Sequence, residues 1–179
     1  MADYPTGGVC PPVLSVFSQY CTASNLAFYS NAVSNGSSGT WPSANRGLFI
    51  PIWLPAPFQL ASFFCVNGSA VAGNIDMGVY GTDGSLISSK GSTAQSGTST
   101  LQILTLTTPI VLNPGRYFMA ISASSASATF ISRTPSVIIE QRLGMLQAAT
   151  QVPLANLPTL ATCASAYLPH FGISQLTTY

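Results

Sequence analysis

One imidazole, four thiols and four side-chain carboxylates are what this sequence offers for proton transfer near neutral pH or for metal binding. A hydrolytic nucleophile needs a base that takes a proton near neutral pH and a group that orients that base. His170, between Pro169 and Phe171, is the sole imidazole, and no G-x-S-x-G elbow accompanies it; Gly36-Ser-Ser-Gly39 is one residue short. Glycoside cleavage needs two carboxylates facing each other across a cleft. Asp3 lies near the N-terminus and Asp83 is accounted for by a turn, which leaves Asp76 and Glu140, and no spacing brings those two together. Cys10, Cys21, Cys65 and Cys163 form no C-x-x-C pair and no zinc spacing. Cys65 reads as a buried free thiol within an apolar strand, and a Cys10–Cys21 bridge stays open. A Ca²⁺ site on Asp76 and Asp83 would need carbonyl ligands to complete it, whereas outward strand and turn positions explain both acids. No catalytic, metal or cofactor site is expected, and the chain reads as a non-enzyme.

Such sparse chemistry matches the composition. Of 179 residues only 5% are charged, against roughly 25% in ordinary soluble domains. Ser, Thr, Asn, Gln and Gly must therefore cover the surface. The formal net charge of +1 gives no field for nucleic acid or anionic lipid, and Arg46, Lys90, Arg116, Arg133 and Arg142 form no stripe. Near-neutrality favours association. A homo-oligomer is therefore expected. The longest apolar stretch, Leu48 to Phe58, is too short for a ~20-residue span and contains Pro51, Pro55 and Pro57. No secretion signal is read at the start.

The elements that must position these residues are strands. Residues 1–45 read as an irregular N-terminal arm with short strands near Leu14–Phe17 and Leu26–Tyr29, packing on the domain or on neighbours. Residues 46–179 read as the β-sandwich domain. Leu48–Leu54 and Phe58–Val66 are rich in strand-forming Phe, Ile, Leu and Trp, and Pro51 puts the first at a sheet edge or bulge. Asn74–Tyr80 alternates, with Ile75, Met77 and Val79 inward and Asp76, Gly78 and Tyr80 outward. Thr82-Asp83-Gly84 then turns a hairpin into Ser85–Lys90. Leu101–Thr107 follows, and Asn113-Pro-Gly suits a type II turn into Arg116–Ala123, where Tyr117, Met119, Ile121 and Ala123 share a face. Phe130-Ile131 and Val137–Ile139 continue the strand pattern, Glu140–Thr150 favours one helical turn, and Pro153, Pro158 and Pro169 predict an extended C-terminal segment. The class is an all-β antiparallel sandwich.

Several ordered pieces carry a resemblance. Trp41-Pro-Ser-Ala-Asn-Arg-Gly-Leu-Phe-Ile-Pro-Ile is followed by Gly73-Asn-Ile-Asp-Met-Gly-Val-Tyr-Gly-Thr-Asp-Gly-Ser-Leu86, and later by Gly91-Ser-Thr-Ala-Gln-Ser-Gly97 and by Leu104-Thr-Leu-Thr through Asn113-Pro-Gly-Arg-Tyr-Phe-Met-Ala120. Over about residues 41–125 this resembles bacteriophage virion proteins of the tail-fibre, head-fibre and capsid-decoration type, with their G-x-Y-x-x-D-G-x-L … L-x-P-G-x-Y-x-x-A pattern. The resemblance implies a jelly-roll-like sandwich, a trimer, other virion proteins as partners, and a virion location after synthesis in the host cytoplasm. A structural role exerted by packing is the expectation. The alternative is a lectin-like adhesin for a host surface glycan, with Trp41 and Tyr80 as the rings that would stack on a sugar and Tyr117 as a third.

Overall fold

The computed structural model describes residues 21–23, 27–30, 36–134, 137–142 and 144–177. Its strands in chain order are β1 (Cys21–Ala23), β2 (Ala27–Ser30), β3 (Ser37–Thr40), β4 (Arg46–Leu54), β5 (Phe58–Val66), β6 (Asn74–Tyr80), β7 (Leu86–Ser89) and β8 (Thr93–Ala94). Then come β9 (Leu101–Leu112), β10 (Gly115–Ala123), β11 (Thr129–Arg133), a short helix α1 (Val137–Arg142), β12 (Leu146–Ala148), β13 (Ala161–Thr162), β14 (Leu168–Pro169) and β15 (Phe171–Ser174). All pairings are antiparallel. One sheet runs β1-β2-β15-β5-β9, and the other runs β13-β12-β4-β10-β6-β7 with β8 also on β6. A third, smaller sheet, β14-β11-β3, joins them at one side.

Alternation builds the core as expected. Leu48, Ile50, Ile52 and Leu54 of β4, Ile75, Met77 and Val79 of β6, and Met119 and Ile121 of β10 face Phe63, Cys65, Leu104, Phe171 and Ile173 across the sandwich. The described parts of the expected arm join the domain, since β2 pairs with β15 and β3 with β11. The expected strand at Leu14–Phe17 lies outside the described residues. Beside Pro51 the interior strand β4 is locally an edge, because β12 covers it only from Gly47 to Phe49. Pro109 is likewise tolerated in β9, which pairs with β5 alone and bulges opposite Leu60/Ser62. Near that bulge Lys90 Nζ donates to the Thr105 carbonyl at 2.7 Å, capping an edge acceptor.

Several expectations are corrected. Val137–Ile139 belongs to α1 and not to a strand; α1 runs on to Arg142, into the Glu140–Thr150 stretch that favours one helical turn, while Leu146–Ala148 of that stretch pairs with β4. Partnering decides both cases, because β4 offers 146–148 a ladder. Gly115 takes φ +157°, far from the +80° of a type II turn, so β10 starts at the glycine itself. The hairpin at Asp83 forms as read: Gly84 is left-handed at φ +85°, and Asp83 Oδ1 accepts from the Ser85 amide and hydroxyl. The largest correction concerns the second sheet, whose outer face is not solvent. A strap, residues 149–160, lies over it, and Leu154 packs with Phe49, Tyr80, Ala120 and Ala148. Gly47 and Gly78 allow that approach, since a Cβ at Gly78 would stand 2.8 Å from Leu154 Cδ1 and one at Gly47 2.9 Å from the Gln151 side chain.

The loops at one end of the sheets are tied by neutral amides. Gln95 Nε2 donates to Asn67 Oδ1 and to the Thr129 carbonyl, and Asn67 Nδ2 donates to Gln102 Oε1 and the Ser96 carbonyl. Gln102 Nε2 closes the network on the Ala94 carbonyl. Buried polar groups satisfied in this way fix loop conformation without a charge.

Candidate functional site

Neither ring proposed for sugar stacking presents a face. Trp41 is 2% exposed, its Nε1 donates to the Arg46 carbonyl, and Phe130 and Tyr167 meet it edge-on at 5.3 and 5.6 Å. Tyr80 is 1% exposed, stands edge-on to Phe49, and donates its hydroxyl to the Ala155 carbonyl. Both are core residues. Tyr117 is partly buried against the core, with its hydroxyl on the Asn113 carbonyl.

Asp76, read as outward, is 0% exposed because the strap covers it. Its Oδ2 accepts from the Leu154 amide at 2.9 Å, and its Oδ1 has no hydrogen-bond partner. Burial pushes this carboxyl above the usual range, offset in part by the Leu154 amide and by the nearby Met77, Gly91 and Ser89 groups. Asp83 stays in its exposed turn, where the Ser85 hydroxyl and amide hold its carboxyl below the usual range. Among the described residues no three His, Cys, Asp or Glu side chains gather to hold a metal. Glu140, Cys10 and Cys21 contribute no described side chain. Cys65 is a buried free thiol, pushed up by burial to about 12, and Cys163 is buried with its Sγ donating to the Ser165 carbonyl. His170 is partly buried, edge-on to Phe64, and burial lowers its pKa.

No protein-family model matches the chain, and no curated protein matches it. The surface itself must therefore supply the candidates. No helix among the described residues is long and apolar enough to cross a membrane.

Two features stand out, at opposite ends of β4. At the C-terminal end, the pairs Leu54–Gly115 and Phe58–Leu112 bring the 55–57 and 113–114 turns together. Trp53 is 39% and Val111 65% exposed there, beside exposed Pro55, Pro57 and Pro114. Arg116, directly opposite Trp53, is the one charged residue of this apolar tip. At the N-terminal end, the strap and β12 border a groove of about 610 Å³ lined by Arg46, Gln147, Thr150, Asn156, Leu157 and Thr159, among others. Its backbone is strained. Thr150 and Leu157 hold φ of +56° and +50°, and Asn45, next to Arg46, holds +59°. A β-branched or bulky residue in that region costs on the order of 1–3 kcal/mol. The strap is over-determined by its bonds: Gln151 N to the Asn45 carbonyl, Leu86 N to Asn156 Oδ1, and Leu157 N to the Gly84 carbonyl. Sequence reading missed this groove because its residues are ordinary loop types, and left-handed Thr and Leu leave no mark in composition.

Proposed function

We propose that the chain is a structural subunit of a bacteriophage particle, in the head-decoration, head-fibre or tail-fibre class, and that it acts by packing against copies of itself as a trimer and against other virion proteins. The observation that carries the assembly reading is the apolar tip. Trp53, Pro55, Pro57, Val111 and Pro114 lie exposed together on a chain with few charges, whereas the other exposed large apolar side chains, Ile87, Leu101, Ile138 and Leu157, come from other segments. Exposed apolar patches mark contact surfaces, and Trp and Arg are the residue types that dominate interface energetics. The prolines keep both turns stiff, so little conformational freedom is lost on contact. An interface of ~800 Å² per partner buries ~1,600 Å² in all, a little over half of it apolar, and at ~25 cal/mol/Å² of apolar area that gives a gross ~20 kcal/mol, much of it consumed by association costs. With one ion in the patch, the desolvation penalty is small. The phage assignment is supported by the ordered G-x-Y-x-x-D-G-x-L and L-x-P-G-x-Y-x-x-A segments.

Sedimentation velocity tests the assembly. Wild type should sediment as a trimer or larger species, and Trp53→Ser with Val111→Ser should yield folded monomer. A wild-type chain that stays monomeric at high concentration ends the proposal. Immunogold labelling of particles with an antibody to the chain tests the location.

A further inference from the structure

We infer that the groove between the strap and β12 is a binding site for a neutral saccharide unit. This goes beyond the assembly reading and does not depend on it. Arg46 and Trp53, seven residues apart on β4, are about 23 Å from each other along the strand, so a buried tip leaves the groove open.

Four features point to a sugar. At about 610 Å³ the groove falls in the size range of small-ligand sites. Its lining holds one cation and no carboxylate, and Arg46 Nη1 is already committed to Ser165 Oγ. Apart from the rest of that guanidinium, the polar groups left for a ligand are uncharged: Gln147 and Asn156 use only their carbonyl oxygens within the described fold, on Ala164 N and Leu86 N, which leaves both NH₂ groups as donors. The Thr150 and Thr159 hydroxyls likewise have no partner among the described residues. Hydroxyl and amide groups of this kind match a polyol, and Leu157, 63% exposed beside Pro158, offers an apolar ledge for the C–H face of a ring. Finally, Thr150 and Leu157 are the residues held in left-handed backbone, and strain kept in place by several bonds pre-organises a surface for a ligand. The site binds without cleaving, since no pair of carboxylates lines it.

Saturation-transfer NMR on the intact wild-type assembly tests this, with maltose, chitobiose and lactose as saccharide probes and trialanine as an extended neutral peptide. Each is offered at about 10 mM, enough to reveal a millimolar Kd. At least one disaccharide should receive saturation. Thr159→Arg, at an exposed position with no structural bond, should fill the groove and weaken binding by about tenfold or more. Leu157→Gly should weaken binding while raising the melting temperature or leaving it unchanged, because glycine accepts the left-handed conformation without cost. No saturation of any disaccharide, binding that survives Thr159→Arg, or binding of trialanine alone would overturn the inference. Sedimentation of the same variants should match wild type, so a failure here is separable from a failure of the assembly reading.

Discussion

Replacing Trp41 with alanine removes the largest side chain in the core and separates two accounts of that residue. As a core residue, it seals the junction between β11, the 163–167 segment and the start of β4, touching Phe130 and Tyr167 edge-on and donating to the Arg46 carbonyl. Truncating a buried Trp costs about 3–5 kcal/mol, and each edge-to-face pair adds ~0.5–1.5 kcal/mol beyond area. With both pairs and a buried hydrogen bond lost, the upper end applies, near ~5 kcal/mol. That is a large share of the ~5–15 kcal/mol that usually holds a domain folded. Urea titration in a Trp53→Phe background, where Trp41 is the only indole, follows the transition by fluorescence; Trp41→Ala is read by circular dichroism. At a slope of ~2 kcal/mol/M the midpoint should fall by roughly 2.5 M. Trp41→Phe should lie between, because it restores ring packing and loses the N–H. A midpoint shift below ~0.5 M for Trp41→Ala would refute the core assignment.

Asp76 and Cys65 give two further tests. The folded-state pKa of Asp76 stands above the ordinary carboxylate value, so the native state holds the extra proton. Its contribution is complete below about pH 4 and is lost as pH rises through the folded pKa; the melting temperature of Asp76→Asn relative to wild type should therefore climb as pH rises from about 4 through that folded pKa, and then level off. A pH-independent difference would show that the carboxyl is not titrating in a dry site. Cys65, buried and pushed up to about 12, should resist iodoacetamide in the native protein at about pH 8 and react on unfolding. Rapid native alkylation, located by peptide mass, would contradict its placement.

Where period and burial agree, the strands were legible. Asn74–Tyr80 and Phe58–Val66 are predicted with the bounds they have, because one face of each is continuous core. The second buried face was harder to see. Its signals were present: Phe49, Phe118 and Ala120 are apolar at outward positions, and Gly47 and Gly78 lack side chains where a segment had to cross. A two-residue alternation rule assigns such positions to solvent unless a covering element is foreseen, and the strap has too many prolines to announce itself as one. Tyr80 and Asp76 were therefore placed outward. Trp41 falls among the residues before position 46 that show no clear period, since Gly39 and Pro42 beside it suggest a loop, while the Ala128 carbonyl and the Tyr167 ring draw it inward. The groove depends on two left-handed residues and on folding that brings 46, 147 and 156 together, neither of which is local.

The joint made by Asn67, Gln95 and Gln102 has a consequence for the medium in which the molecule works. Carboxamides neither gain nor lose a proton across the range in which acids and imidazoles change state, and added electrolyte has no monopole there to shield. A loop cluster fastened in this manner keeps one shape in brine, dilute buffer or acidified fluid alike.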